Sequence, residues 1–287
     1  MSMPATRISD RFDEHLHDVK TLAAEGIPAP KEWVALYERY TSYQAMQLPA
    51  CDRLIAAIIA PSKGDDVTAL HGLALAETAS PQTQAQVDNR VAAAVERRLR
   101  ELYRPSARTN YEQAAARFNS VASDFATAAA VTDVEVPAAD VVNASDDQRS
   151  AWTAAEQHAI KLDTLVPVLA AAAELAGVGV NGDTALLPLC CDPADKHRRR
   201  VWEAWIHEGG RCRRWSALHR LGVVIRAANL DTFARYDEPL PYETRTEQVA
   251  GALPGTMRTT RLDPHDESYT PPKPPQKKMI GGRMAAI

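Results

Sequence analysis

The sequence predicts a mostly α-helical fold of helical hairpins or a bundle, including a pair of long alanine-rich helices, with an extended, proline-rich C-terminal arm. Alanine fills 50 of the 287 positions, whereas aromatic residues account for only 6%. Small side chains let helix backbones approach closely. Apolar residues recur at steps of three and four along most of the first 236 residues, which is a helical period. Eight of the 19 prolines follow residue 236.

Composition and charge exclude several classes of protein. Hydrophobic residues make up 45% and charged residues 24% of the chain, which argues against a disordered chain and against a membrane protein. The longest apolar run, 165–173, is too short to cross a bilayer. The net charge of −4 does not demand a polyanionic partner. The cysteines lack the spacing of a disulfide framework, so we expect a cytoplasmic protein. They are Cys51, Cys190, Cys191 and Cys212.

Helices separated by prolines are predicted for the first third of the chain. The apolar residues of 10–25 fall on one helical face. They are Phe12, Leu16, Val19 and Leu22. A second helix with an aromatic stripe begins near Lys31. Pro49 and Pro61 bracket a short apolar helix, and a further helix runs to about Ala79.

Two long helices joined by a short turn are predicted next. Ser80 followed by Pro81 is a typical helix start, and Pro105 is expected to end that helix. The helical period resumes over 107–130. Long helices with so short a connection pack antiparallel, so we expect a hairpin. The valine-rich segment 131–142 is then expected to be extended.

Local signals define the ends of the following helix. Ser145 and Gln148 have the spacing of a capping box at its start, and Gly177 is expected to end it. Pro167 is expected to kink it. The glycines of 177–182 match G-x-G-x-x-G, but they follow a helix instead of a strand. They therefore predict a turn between helices rather than a dinucleotide site.

The strongest local signal is a basic helix pair. Its helices are predicted over 194–208 and 213–228, with Gly209 and Gly210 between them. From residue 196 to 226 there are nine Lys or Arg and two Glu, a local balance of +7. Three of the five tryptophans also lie in this stretch.

Three interpretations of the basic helix pair are open. In the first, the tryptophans fill the core while the arginines are solvated or form ion pairs with acidic segments. In the second, the helix pair is a docking surface for another protein. It also has the outline of a helix-turn-helix for nucleic acid. We favour a protein contact over nucleic acid, because an acidic chain binds phosphates weakly. The nucleic-acid alternative would use Arg198, Arg199, Arg200, Arg213 and Arg214.

The sequence assigns no catalytic, cofactor-binding or metal-ligating residue, and the chain is not predicted to be an enzyme. The cysteines and histidines between Cys190 and His219 lack the C-x-x-C or H-x-x-x-H spacing of a zinc site. We expect buried structural cysteines and surface histidines there. A metal-dependent enzyme centred on this region is a third hypothesis.

The C-terminal arm, 237–287, combines prolines with lysines and ends on apolar residues. Such an arm can lay apolar anchors into a groove of a neighbouring subunit. The sequence thus predicts a non-enzymatic assembly protein in a large homo- or hetero-oligomer, such as a phage virion, with other protein subunits as partners and no membrane. Removing 237–287 is expected to leave the helical body folded and to abolish assembly.

The chain is predicted to divide into four segments. These are an N-terminal helical segment (1–60), a long helical hairpin (61–136), a second helical region with the basic helix pair (137–236) and the arm (237–287). The residues predicted to make contacts with partners are Arg198, Arg199, Arg200, Trp202, Trp205, Arg213, Arg214, Trp215, Lys273, Lys277, Lys278, Met279 and Ile280.

Overall fold

The fold is mostly α-helical, as predicted. The computed structural model describes residues 10–45, 54–55, 58, 66–77, 81–248, 257–266, 269, 279–280 and 283–284. The helices are α1 (Asp10–Ala24), α2 (Lys31–Gln44), α3 (Val67–Glu77), α4 (Pro81–Val131), α5 (Ala138–Val141), α6 (Asp146–Leu175), α7 (Asp183–Cys190), α8 (Arg198–Trp205) and α9 (Arg213–Arg220). The strands are β1 (Cys191–Asp192), β2 (Val224–Ile225), β3 (Glu243–Gln248), β4 (Met257–Leu262), β5 (Met279–Ile280) and β6 (Arg283–Met284).

The chain forms two compact units. The first comprises Met1–Phe118 and Asp163–Val180, and the second comprises Asn119–Leu162 and Asn181–Ile287. The long helices α4 and α6 each contribute residues to both units. The helices α8 and α9, which are the basic helix pair, belong to the second unit. The four segments derived from the sequence stay a prediction about domains.

Side chains of α1, α2 and α4 form the core of the first unit. The buried members are Phe12, Leu16, Val19, Trp33, Tyr40, Leu99, Tyr103 and Ala107. This confirms the apolar face predicted for the first helix. His15 is buried with them and accepts a hydrogen bond from Trp33 Nε1 at 3.4 Å. Burial, together with the nearby Arg100 guanidinium, lowers the pKa of His15 to about 4, so the ring is neutral at pH 7.

Helix α4 is one continuous helix of 51 residues, so the predicted break and hairpin at Pro105 are wrong. A proline inside a helix removes one hydrogen bond and costs about 3 kcal/mol. The buried positions, however, continue past it at steps of three and four. They are Leu99, Tyr103, Ala107, Tyr111, Ala114, Phe118, Ala122 and Phe125. Because tertiary packing of one long apolar face outweighs that cost, the helix continues. The two long helices predicted on either side of Pro105 are therefore one helix, α4.

The valine-rich segment after α4 is a turn and a short helix, so the extended segment predicted over 131–142 is wrong. Val134 and Val141 are buried, and Val136 O accepts a hydrogen bond from Trp152 Nε1 at 2.9 Å. A single strand without a neighbouring strand leaves its backbone groups unpaired. The turn and α5 satisfy those groups locally while both valines reach the core.

The predicted ends of α6 are confirmed. At its start, Ser145 N donates to Gln148 Oε1 at 3.1 Å and Gln148 N donates to Ser145 Oγ at 3.2 Å, which is a reciprocal capping box. At its end, Gly177 has a φ of +90°, a left-handed conformation that glycine adopts without strain. The helix continues past Pro167. The glycine-rich segment 177–182 then leads into α7, as predicted for a turn between helices.

Part of the C-terminal arm is a regular hairpin, not the irregular chain that its prolines predict. Strands β3 and β4 pair antiparallel, from Glu243 opposite Leu262 to Gln248 opposite Met257. Pro241, Pro254 and Pro264 all fall outside the two strands. Because proline cannot donate to a strand ladder, this placement leaves the pairing intact. Strands β5 and β6 also pair antiparallel.

Candidate functional site

The basic helix pair consists of two short helices with defined ends. Both helices are shorter than predicted, because α8 begins at Arg198, after the loop that follows β1, and α9 ends at Arg220, two residues before Gly222. Gly222 has a φ of +70°. Its N–H donates to His219 O at 2.9 Å and Val223 N donates to Leu218 O at 3.1 Å, which is a Schellman termination. The chain then enters β2, which pairs antiparallel with β1.

Two tryptophans of the basic helix pair are core residues. Trp205 and Trp215 are fully buried, and their rings meet edge-to-face with centroids 6.1 Å apart. Trp202 is half-buried and stacks on Tyr236 with centroids 6.4 Å apart. The interpretation that tryptophans fill the core is therefore confirmed for Trp205 and Trp215. This corrects their assignment as contact residues, because a partner cannot reach them.

Most of the positive charge of the basic helix pair is neutralised within the chain. Six of the nine basic residues between 196 and 226 form ion pairs. These are Lys196–Asp195, Arg198–Asp237, Arg199–Asp263, Arg211–Glu156, Arg220–Asp133 and Arg226–Asp192. Arg214 lies over the Trp205 ring, 4.7 Å from its centroid. Arg200 and Arg213 are exposed. The pairing with acidic segments that the sequence left open is thus observed.

Arg199 is a buried residue that holds the arm, so its assignment as a surface contact is corrected. Its Nε donates to Asp263 Oδ2 at 2.5 Å, and both side chains are 8% exposed. A second guanidinium nitrogen donates to Leu240 O. The guanidinium also lies 3.8 Å from the centre of the Tyr242 ring. Burial by itself would raise the pKa of Asp263, but the hydrogen bonds from Arg199 and from His265 N lower it below its usual value.

Glu135 binds the start of α9, which sequence reasoning missed. Its carboxylate accepts hydrogen bonds from Arg211 N at 2.8 Å and Cys212 N at 2.9 Å. These amides immediately precede α9, and Cys212 is its N-cap residue. A carboxylate at this place interacts favourably with the partial positive charge of a helix N-terminus. The guanidinium of Arg211 also lies over the Trp152 ring, 3.1 Å from its centre. Glu135 is 77 positions before Cys212 in the sequence, so no local motif identifies it.

Replacing Gly210 by alanine is expected to destabilise the second unit by about 1–3 kcal/mol. Gly210 has a φ of +81°, and a Cβ there would lie 2.9 Å from the Glu135 carboxyl carbon. The substitution therefore strains the backbone and displaces the carboxylate from α9. The measurement is urea unfolding. Gly209→Ala is the matched control, since its Cβ would meet only the flexible end of His207 at 3.3 Å; equal losses in the two variants would contradict the prediction.

The cysteines near the basic helix pair are buried thiols, as predicted. Cys190, Cys191 and Cys212 are buried and are not part of a disulfide. Burial raises the pKa of Cys191 to about 12 and that of Cys212 to about 11, so both remain protonated and unreactive at pH 7. Cys51 lies outside the described residues. His197 lies apart from these thiols and close to Asp263 and Asp266 instead.

The remaining predicted contact residues lie in the arm. Lys273, Lys277 and Lys278 are outside the described residues. Met279 and Ile280 form β5, where Met279 pairs with Met284 and Ile280 with Arg283. Removing all of 237–287 would take away Asp263, Leu240 and Tyr242, which are the contacts of the Arg199 side chain. The expectation that this deletion leaves the helical body folded stays a prediction.

Helix α3 is an exposed apolar helix that sequence reasoning did not identify as a contact surface. It contains one acidic residue and no lysine or arginine. Leu70 and Ala74 are buried, whereas Val67, Leu73 and Leu75 are 45%, 48% and 60% exposed. A helix that is apolar all round is normally buried. This pattern is typical of a protein contact surface.

Within the part of the chain that the structure describes, no helix combines the length and the apolar character that crossing a membrane requires. Comparison with protein-family models, with curated proteins and with solved structures finds no match to this chain.

Proposed function

We propose that the chain is a non-enzymatic assembly protein whose copies associate through α3. The observation that carries this proposal is the exposure of the large apolar side chains of this helix. Leu73 is 48% exposed and Leu75 is 60% exposed on a helix of only 11 residues. Removing such side chains from water is worth about 25 cal/mol per Å² of apolar surface. Association with another copy would bury these side chains away from water.

A second copy of the same chain is the partner that the charge of α3 favours. In a twofold dimer the same patch of surface lies against itself, so a charged patch would repel its own copy. Helix α3 carries no lysine or arginine and a single glutamate at its end, Glu77. Two copies can therefore meet without like-charge repulsion along most of the helix.

The arm is the second part of this proposal. Leu240, Tyr242 and Asp263 contact Arg199 of α8, so the part of the arm beyond residue 266 is the candidate tether. The contact residues predicted there are Lys273, Lys277, Lys278, Met279 and Ile280. An apolar contact helix together with a C-terminal tether would suit a subunit of a particle such as a phage virion.

The nucleic-acid alternative has less support. Of its five arginines, Arg199 is buried in an ion pair, Arg198 pairs with Asp237, and Arg214 lies over Trp205. Phosphate binding by these side chains would compete with the contacts they already make. A complex with DNA or RNA that weakens steeply with salt and depends on Arg200 and Arg213 would favour this alternative.

Light scattering of the full-length protein, coupled to size exclusion, tests the assembly proposal. The unmodified chain is expected to have the mass of an oligomer, and Leu73→Glu with Leu75→Glu is expected to shift it to the monomer. Ile160→Glu is the matched control, because Ile160 is a comparably exposed apolar residue on α6. Circular dichroism checks that each variant is folded.

A monomeric unmodified chain, or an α3 variant with unchanged mass, would contradict the proposal. A chain shortened to end at Thr270 tests the arm separately. It is expected to retain its helical content and to assemble more weakly. If it assembles as the full chain does, the tether is wrong and α3 alone carries the association.

A further inference from the structure

His197 is a partly buried residue, with a side chain 25% exposed, whose ring nitrogens make no hydrogen bond. It immediately precedes α8, and both ring nitrogens, Nδ1 and Nε2, are screened from solvent. Nε2 lies 3.2 Å from Asp266 Oδ1, but the geometry of the pair is not that of a hydrogen bond. A buried polar atom without a partner loses the hydrogen bonds that it would make to water. Such an atom at the edge of a polar cluster indicates a ligand site.

Two carboxylates from the turn after β4 complete this cluster. One ligand atom each from His197, Asp263 and Asp266 lies within 4.8 Å of the others. Ligands of one tetrahedral zinc ion are roughly 3.3 Å apart, given metal–ligand distances of about 2.0–2.2 Å. Small side-chain rotations would therefore bring the three atoms onto one ion. Asp266 N donates to Asp263 O at 3.1 Å, which fixes the turn that presents both carboxylates.

The surroundings of Asp263 resemble those of a metal ligand. Its Oδ2 accepts a hydrogen bond from Arg199 Nε at 2.5 Å, and its Oδ1 accepts one from His265 N at 2.9 Å. Ligating carboxylates are commonly held in this way by hydrogen bonds. Each carboxylate oxygen has two lone pairs, so both oxygens still have one to offer. Arg199 offsets one of the two negative charges, and the cluster keeps a net negative charge for a cation.

We propose that His197, Asp263 and Asp266 bind one zinc ion, which ties the turn after β4 to the start of α8. The imidazole favours zinc over magnesium or calcium, which prefer oxygen ligands. Three protein ligands leave a fourth position for water, as in open zinc sites. Asp266 is exposed and provides the path by which the ion enters. The site is separate from α3 and stands whether or not the chain assembles.

Zinc titration of the full-length protein after removal of metals with a chelator tests this site. Calorimetry and elemental analysis are expected to show one zinc per chain. His197→Gln and Asp266→Asn are expected to weaken binding at least about tenfold. His207→Gln is the matched control, because His207 is exposed and lies outside the cluster. Zinc is also expected to raise the unfolding temperature of the unmodified chain and not that of Asp266→Asn.

Absence of saturable zinc binding by the unmodified chain would overturn the proposal. So would variants that bind zinc as the unmodified chain does, or a loss in His207→Gln equal to that in His197→Gln. If His197→Gln fails to fold, Asp266→Asn still decides, because the Asp266 side chain is half exposed and its removal leaves the Arg199–Asp263 pair intact. Titration with manganese, which is expected to bind more weakly, checks the choice of metal.

Discussion

Replacing Trp205 by alanine is expected to lower the free energy of unfolding of the second unit by about 3–5 kcal/mol. Trp205 is fully buried, and its ring packs edge-to-face against Trp215 with centroids 6.1 Å apart. Its Nε1 donates to Asp183 Oδ1 at 2.8 Å. The substitution therefore opens a cavity and removes a hydrogen bond at the start of α7. Urea unfolding followed by circular dichroism measures the loss.

Trp202→Ala is the matched control for this prediction. Trp202 is the same residue type on the same helix, but it is half-buried and stacks on Tyr236 instead of filling the core. The decrease in the free energy of unfolding is expected to be less than half that of Trp205→Ala, because Trp202 buries less apolar surface. Equal losses would show that the Trp205–Trp215 contact is not the centre of this core.

Replacing Arg199 by methionine is expected to cost about 3–5 kcal/mol of stability. The substitution keeps most of the side-chain volume and removes the cation, so the Asp263 carboxylate stays buried without its partner. It also removes the hydrogen bond to Leu240 O and the contact with the Tyr242 ring. Urea unfolding in the presence of a chelator measures the loss independently of metal.

Two further variants distinguish the buried ion pair from an ordinary surface pair. Arg226→Met removes the partner of Asp192 in a pair whose arginine side chain is 60% exposed, and it is expected to cost less than about 1 kcal/mol. Arg199→Met combined with Asp263→Leu is expected to recover part of the loss, since it removes both buried charges. If Arg199→Met costs no more than Arg226→Met, Arg199 does not anchor the arm.

Stability losses at Trp205 and Arg199 would show that the basic helix pair is a structural centre. Trp205 and Trp215 lie in the core, and most of the cations form ion pairs within the chain. The acidic partners come from residues both before and after the helix pair in the sequence. Within the part of the chain that the structure describes, α3 and the cluster around His197 are then the places where we propose a function. No charge pattern and no known sequence motif marks either of them.

The sequence by itself determined the features that depend on neighbouring residues. The buried face of α1, the capping box of Ser145 and Gln148, and the glycine turn after α6 all follow from residues within a few positions of one another. Helical period and end-capping act over about one turn of helix. Such features can therefore be predicted without knowing what packs against them.

Only the tertiary structure decided the features that depend on distant residues. Pro105 lies inside α4 because burial of the long apolar face of that helix contributes more free energy than the lost hydrogen bond costs. That contribution depends on which residues cover the face. Arg199 meets Asp263 from 64 positions away, and Glu135 binds the start of α9 from 77 positions away. A charge pattern along the chain records the sign of each side chain but not its partner. Burial and pairing are set by positions in space, so the role of each arginine emerges only from the folded chain.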